Sequence, residues 1–222
     1  MKTRFICLLA VLLAGCATPV PTPETRITTT PDEATITIDN QAHGVSPISY
    51  LFDFSGRDEY VIKAAKEGYF TETVVITPAS ISGEQPGLNI ELQISPMWQS
   101  TTVSPATNEW MSLVVNPGIG AAEIWQRMVD ATTKRFPELE EFDYNSGYIK
   151  SVLKGKRFDT PRGEFRLRSR FIAAVADEEP LTYKIKLISE WTDKGVEWYP
   201  YNRVFIEDSL LIKELIDRFA FQ

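Results

Sequence analysis

The 222-residue sequence has only two cysteines and one histidine. Both cysteines, Cys7 and Cys16, lie within the first sixteen residues, so the rest of the chain has no thiol for a disulfide or a metal site. His43 has no second histidine and no nearby cysteine with which to form a metal site or a catalytic pair. We interpret His43 as a solvent-facing turn residue, and we expect no metal and no other cofactor.

The sequence also lacks an apolar run of the ~20 residues that a membrane-spanning helix requires. A shorter run, Phe5 to Ala14, follows Lys2 and Arg4 and ends just before a glycine and Cys16. Basic residues, a short apolar core and small residues before a cleavage point are typical of an export signal. The sequence therefore predicts that residues 1–15 are a signal peptide.

The segment Leu13-Ala14-Gly15-Cys16 resembles the lipobox of bacterial lipoproteins. In that family the cysteine is acylated and the signal is cut just before it, which implies that Cys16 is the lipidation site and holds the chain at a membrane. Several acyl chains at ~0.8 kcal/mol per buried methylene give stable anchoring. Ala17 is similar to the residue found in outer-membrane lipoproteins of Gram-negative bacteria, which implies an outer-membrane location facing the periplasm. The alternative is an ordinary secretory signal with an incidental cysteine.

Positive charge is scarce for a protein of this size. Without Lys2 and Arg4, 21 basic residues face 30 acidic ones, a formal net charge of −9. An acidic, exported chain is poorly suited to bind the phosphate backbone, so we predict no nucleic-acid partner. Residues 16–24 contain three prolines, which favour an extended chain, and we interpret them as a tether between the anchor and the folded part.

Short segments with alternating apolar residues fill the chain from residue 25 to residue 95. Turn residues interrupt them every eight to twelve positions, which predicts a small antiparallel β-sandwich. This part resembles the PEGA domain, a β-sandwich module of bacterial envelope proteins. The matching positions are Pro31, Ala34, Ile36, Ile38, Asp39, Gly44, Pro47, Tyr60, Gly68 and Tyr69, whereas Glu33 and Ser46 depart from the family pattern. An unrelated immunoglobulin-like sandwich is the alternative.

Residues 96–109 are polar and lack periodicity, which favours an interdomain linker. Beyond them, residues 110–222 begin with a strand and a helical pattern that ends at Pro137. Several strands and a final amphipathic helix follow, so we predict a two-layer α+β domain with an antiparallel sheet and two helices. In element order alone, this domain is similar to the helix-grip domains of an outer-membrane assembly lipoprotein.

The two longest predicted strands carry a basic stripe. A pairing of Phe171 with Ile185 also aligns Phe165 with Trp191, Ala173 with Tyr183 and Val175 with Leu181. The opposite face then carries the candidate interaction residues Arg166, Arg168, Arg170, Lys184 and Lys186. The segment 154–170 has seven basic residues against Asp159 and Glu164. Such a face suits an anionic partner, either an acidic envelope protein, lipid head groups or an acidic cell-wall polymer. The alternative is a charged surface that only maintains solubility.

Catalytic patterns are weak throughout. The carboxylates Glu138, Glu140, Glu141 and Asp143 could supply an acid–base pair for glycan cleavage, or they could form a solvated turn. Trp191, Trp198, Tyr199 and Tyr201 could stack on sugars, although Trp191 is more typical of a core residue. We therefore hypothesise a lipid-anchored envelope protein that binds or scaffolds another component and is not an enzyme. The alternatives are an enzyme acting on cell-wall glycan or peptide, and a passive structural spacer.

Overall fold

A computed structural model describes residues 24–81, 87–193 and 195–219. The predicted signal peptide, Cys16 and nearly all of the predicted tether lie outside the described residues. The described chain is mostly β-strand and divides into two compact units. The first unit runs to Lys66 and resumes from Thr71 to Leu92, and the second consists of Glu67–Phe70 and the chain from Gln93 onward. Within the described ranges, none of the helices is long and apolar enough to cross a bilayer.

Two sheets make up the first unit. One sheet has the strand order β4-β1-β7 and the other has the order β3-β2-β5-β6. The strands are β1 (Glu24–Thr30), β2 (Thr35–Ile38), β3 (Gln41–Val45), β4 (Ile48–Leu51), β5 (Tyr60–Ala65), β6 (Glu72–Ile76) and β7 (Gly87–Glu91), and a 3₁₀ turn spans Pro78–Ile81. The expectation of purely antiparallel pairing is wrong at one place, because β1 and β7 are parallel. A parallel pair needs a long crossover, and here the strands of the other sheet lie within that crossover.

The predicted alternation places the core of the first unit correctly. Ile36 and Ile38 of β2 are buried, as are Tyr60 and Ile62 of β5. The ring of Phe52, which follows β4, lies 5.0 Å from the ring of Tyr60, so side chains that belong to the two sheets meet. His43, predicted in a turn, instead lies exposed in β3.

The second unit has a central sheet with helices against one face. Its elements are α1 (Pro96–Gln99), β8 (Thr101–Thr102), β9 (Met111–Val114), α2 (Ala121–Thr133), β10 (Leu139–Asp143), β11 (Tyr148–Ser151), β12 (Lys154–Thr160), β13 (Gly163–Glu178), β14 (Leu181–Thr192), β15 (Tyr199–Pro200), β16 (Val204–Phe205) and α3 (Ile206–Phe219). Strands β10, β11, β13, β14 and β15 lie side by side, β12 pairs with β13, and β9 pairs with β14. All pairings in this sheet are antiparallel. The expected antiparallel sheet with two longer helices is therefore present.

One apolar cluster joins the sheet to α2 and α3. Ile124 of α2 and Leu215 of α3 belong to the same buried cluster as Phe171 of β13 and Ile185 of β14. From Phe165 to Val175 and from Tyr183 to Trp191, the odd-numbered residues lie on the face of the sheet that carries this cluster, because side chains alternate between the two faces of a strand. The even-numbered residues therefore lie on the sheet face that α2 and α3 leave uncovered, which we call the outer face.

The predicted linker over residues 96–109 is wrong, because this segment is structured within the second unit. It contains α1 and β8, and β8 pairs with β16. Asn108 Nδ2 donates to the carbonyl oxygens of Ser189 at 3.0 Å and Tyr201 at 2.8 Å. Ala106 is fully buried. Hydrogen bonds to distant backbone, rather than a periodic apolar face, hold this segment, and periodicity therefore does not reveal it.

The predicted register of the long hairpin is also wrong, by two residues. Phe171 pairs with Leu187, and Ala173 pairs with Ile185. The sequence predicts a connection over residues 177–180, whereas the strands continue to Glu178 and Leu181 after an irregularity that follows Val175. A shift of two residues preserves which side chains share a face, so the assignment of the two faces is unaffected.

Candidate interaction face

The predicted basic residues do share the outer face. Arg166, Arg168 and Arg170 alternate along β13 with the buried residues Leu167 and Ser169. On β14, Lys184 and Lys186 alternate with the buried Ile185 and Leu187 in the same way. Alternation in both strands thus gathers all five cations on one side of the sheet.

Glutamates, however, pair with each of the three arginines. Arg168 Nε donates to Glu190 Oε2 at 2.8 Å across the β13–β14 pair, and Arg170 Nη1 donates to Glu140 Oε2 at 2.8 Å. Arg166 forms an ion pair with Glu164. Glu164 lies on β13 itself and Glu190 on β14, whereas Glu140 comes from β10, a strand that the sequence pattern did not place beside the arginines. The charge of the three arginines is therefore largely neutralised, in contrast to the exposed basic stripe that the sequence predicts.

Two of the carboxylates considered for acid–base chemistry are held in the ionised form. A hydrogen bond from Lys150 lowers the pKa of Glu140, and Arg170 lowers it further. The Ser146 hydroxyl and the Asn145 amide donate to Asp143 and lower its pKa. A general acid at neutral pH needs the opposite shift of pKa. Glu140 and Asp143 therefore have the electrostatics of ion-pair and turn residues.

The basic segment 154–170 also divides between the two faces of the sheet. Lys154 lies on the helix side, where it forms an ion pair with the fully buried Asp208 of α3. Lys156 lies 5.2 Å from the centre of the Phe158 ring, whereas Arg157 pairs with Glu164 at 2.9 Å. The positive balance counted along the chain therefore does not form one continuous patch in space.

Two cations of the outer face, Lys184 and Lys186, have no carboxylate partner in the described part of the chain, and both lie on β14. Lys184 Nζ lies 5.3 Å and Lys186 Nζ 5.7 Å from the centre of the Trp110 ring, so both ammonium groups flank one indole. Trp110 is 49% exposed. Within the described ranges, neither lysine forms an ion pair with a carboxylate. We call Trp110, Lys184 and Lys186 the lysine–tryptophan patch.

Trp110 is the member of this patch that the sequence interpretation missed. The sequence predicts Trp110 at the start of the first strand of the α+β domain but assigns that strand no pairing partner. The β9–β14 register pairs Ser112 with Lys184, and the alternation of side chains then puts Trp110 on the outer face beside Lys186. Only the pairing partner of β9 reveals the neighbours of Trp110.

The aromatic cluster has two roles. Trp191 packs with Tyr201 against a small apolar cluster that contains Leu167, in agreement with a core role for Trp191. By contrast, the Arg168 guanidinium lies 3.9 Å from the centre of the Trp198 ring. Trp198 thus covers the guanidinium of the Arg168–Glu190 ion pair and reduces the positive charge that is exposed to a partner.

None of the known protein-family models matches the chain, and none of the curated proteins compared with it matches either. Over the described residues, no group of three or more histidine, cysteine, aspartate or glutamate side chains is arranged to hold a metal ion.

Proposed function

We propose that the protein is a lipid-anchored component of the bacterial cell envelope that binds another envelope protein through the outer face of its second unit. It acts as a binding or scaffolding module rather than as an enzyme. Cys16 is the proposed lipid anchor, and the PEGA-like first unit, as a β-sandwich, serves as a spacer between the anchor and the binding face. The observation that carries the proposal is the lysine–tryptophan patch, where exposed aromatic surface and unneutralised positive charge coincide.

The charges of the outer face favour an acidic protein over a lipid bilayer or an acidic polymer. A basic residue near an anionic membrane contributes about 1 kcal/mol, so that electrostatic membrane binding requires clusters of several such residues. Here Arg166, Arg168 and Arg170 are already paired with carboxylates, and Lys184 and Lys186 remain. Two cations give little attraction to a polyanion, but they suffice to orient one acidic protein surface.

Apolar side chains of the outer face supply the contact area that a protein interface needs. Trp110 and Val114 are 49% and 41% exposed, and the half-buried Ile172 and Ile188 lie between the charged residues. Tryptophan is enriched among the residues that dominate binding energy, and its truncation at an interface commonly costs about 2 kcal/mol or more. Trp110 therefore serves as the anchor of the interface, and the two lysines fix the orientation of the partner.

Site-specific photocrosslinking in intact cells tests this proposal. A photoreactive amino acid at position 112 or 114, both exposed on the outer face of β9, should give a discrete adduct of the size of one partner protein. The matched control is position 213, because Lys213 is exposed on α3 and belongs to the same unit but not to the outer face. We expect no equivalent adduct from position 213.

Each remaining outcome contradicts a stated part of the proposal. No adduct from positions 112 and 114, with normal membrane attachment, would eliminate the interface and leave the passive spacer. Adducts that contain lipid or cell-wall polymer would show that this component, rather than an acidic protein, is the partner. If joint replacement of Glu138 and Glu141 by glutamine gave the phenotype of a complete deletion, the enzyme hypothesis would displace the binding module.

A further inference from the structure

The second unit contains a cleft on a different part of its surface. The cleft has a volume of about 1270 Å³ and lies between the start of α2, the β10–β11 turn and the β13–β14 turn. Small-molecule sites commonly measure about 300–1,000 Å³, so this cleft has room for a short peptide segment. Trp110, Lys184 and Lys186 are not among the residues that line it, and its role is independent of the function proposed above.

Aromatic and aliphatic side chains form the floor of the cleft. The rings of Trp125 and Tyr144 lie 5.8 Å apart in an edge-to-face arrangement, and Tyr144 is 54% exposed. Ile119 and Leu181 also line the cleft. Such a floor favours the burial of an apolar stem, and the faces of the two aromatic rings attract a cation.

The rim of the cleft is acidic. Asp177, Glu178 and Glu179 line it, and no lysine, arginine or histidine is among the lining residues. None of these three carboxylates forms an ion pair with another residue in the described part of the chain. The cleft therefore combines an apolar floor with uncompensated negative charge, which selects for a positively charged occupant.

The Tyr183 hydroxyl is an independent sign that the cleft binds a ligand. Tyr183 lines the cleft and is only 3% exposed, and its hydroxyl lies next to Gly147, which is also a lining residue. Within the described part of the chain this hydroxyl has no hydrogen-bond partner, and its oxygen is not one of the fully enclosed unpaired polar atoms, so it is open to the cleft and can donate to an occupant. Burial raises the pKa of the Tyr183 hydroxyl, so it remains protonated and can donate to a carbonyl oxygen.

We propose that this cleft binds a basic segment of a polypeptide. A lysine or arginine stem of that segment lies on Trp125 and Tyr144, and its cationic head group reaches the carboxylates of residues 177–179. A backbone carbonyl of the same segment accepts the hydrogen bond from Tyr183. A peptide supplies both the cation and the carbonyl oxygen, whereas a neutral glycan supplies no charge to match the rim.

Isothermal titration calorimetry of the purified full chain tests the proposal. The probe is a blocked hexapeptide that alternates lysine with leucine, and its controls are the same peptide with glutamate in place of lysine, and chitotetraose. We expect the lysine peptide alone to bind. Joint replacement Asp177→Asn, Glu178→Gln and Glu179→Gln should weaken this binding about tenfold.

A matched triple variant controls for the change in net charge. Asp32→Asn, Asp58→Asn and Glu59→Gln remove three exposed carboxylates from the first unit and should leave peptide affinity unchanged. Tyr183→Phe removes only the hydroxyl and should weaken binding about threefold without unfolding the protein. No binding of the lysine peptide, equal affinity in the cleft variant, or preferential binding of chitotetraose would overturn the proposal.

Discussion

Lys154 and Asp208 provide the sharpest test of how the second unit is stabilised. The Asp208 side chain is fully buried in the first turn of α3, and Ser169 Oγ donates to its Oδ2 at 2.6 Å. The Lys154 side chain remains 27% exposed, and its ammonium also lies 3.2 Å from the carbonyl oxygen of Arg135. The two partners therefore differ in how well they tolerate the loss of the other.

We expect Lys154→Met to be much more destabilising than Asp208→Asn. Loss of one partner of a buried pair costs about 3–5 kcal/mol, and the Ser169 hydrogen bond that Asp208 retains favours the lower end, about 3 kcal/mol. In Asp208→Asn, the remaining Lys154 can reach water and the Arg135 carbonyl, so the cost should be about 1 kcal/mol. The predicted difference is about 2 kcal/mol, a large share of a typical stability of 5–15 kcal/mol.

The loss of stability caused by Lys154→Met should also depend on pH. Burial raises the pKa of Asp208, and the hydrogen bonds from Lys154 and Ser169 only partly oppose that shift. Because the folded-state pKa is raised, the contribution of Asp208 to stability is full below the ordinary aspartate pKa and declines as the pH rises through the raised value. Without Lys154 the pKa rises further, so the Lys154→Met penalty should shrink on acidification as Asp208 takes up a proton.

Urea unfolding, monitored by tryptophan fluorescence, measures the free energy of unfolding of the second unit. All five tryptophans lie beyond residue 92, and the signal therefore reports on the second unit alone. Measurements between about pH 4 and pH 8 cover the expected window. Equal costs for Lys154→Met and Asp208→Asn, or a Lys154→Met penalty that does not change with pH, would refute the reasoning.

Other substitutions test the anchor, a turn and the outer face. Cys16→Ser should abolish incorporation of a labelled fatty acid and release the protein from the membrane fraction; unchanged labelling would exclude Cys16 as the anchor. Gly147→Ala should cost about 2 kcal/mol in the same unfolding assay, because Gly147 has a φ of +59° and a Cβ would overlap Val175; wild-type stability would refute this geometry. Glu140 contributes stability that is lost as the pH falls through its lowered pKa, and Lys150→Met should raise that pKa in an NMR titration; an unchanged titration would contradict the ion pair.

Alternating patterns predicted the parts of the fold that depend on burial. Period-two alternation placed Ile36, Ile38 and Ile62 in the core of the first unit, and the β13–β14 face assignment was correct even though the register was not. The parallel β1–β7 pair was not predictable from local pattern, because parallel and antiparallel strands show the same alternation when one face is buried.

The candidate site was predictable only where it depends on the alternation of side chains along one strand. The sequence placed Arg166, Arg168 and Arg170 on one face, but charge along the chain does not show which carboxylates lie opposite. Glu140 reaches Arg170 from β10, and Glu190 reaches Arg168 from β14. Neutralisation depends on the strand pairing, and so does the placement of Trp110 beside the two lysines.

The proposed interface is tested most directly by in-cell crosslinking from position 112, beside Lys184 on the outer face, in two charge variants. Lys184→Glu with Lys186→Glu reverses the unneutralised charges and should abolish the adduct. Arg166→Gln removes a cation that Glu164 already neutralises, and it should leave the adduct yield near that of the parent protein. Equal yields from both variants, or a greater loss in Arg166→Gln, would contradict the assignment of binding to the lysine–tryptophan patch.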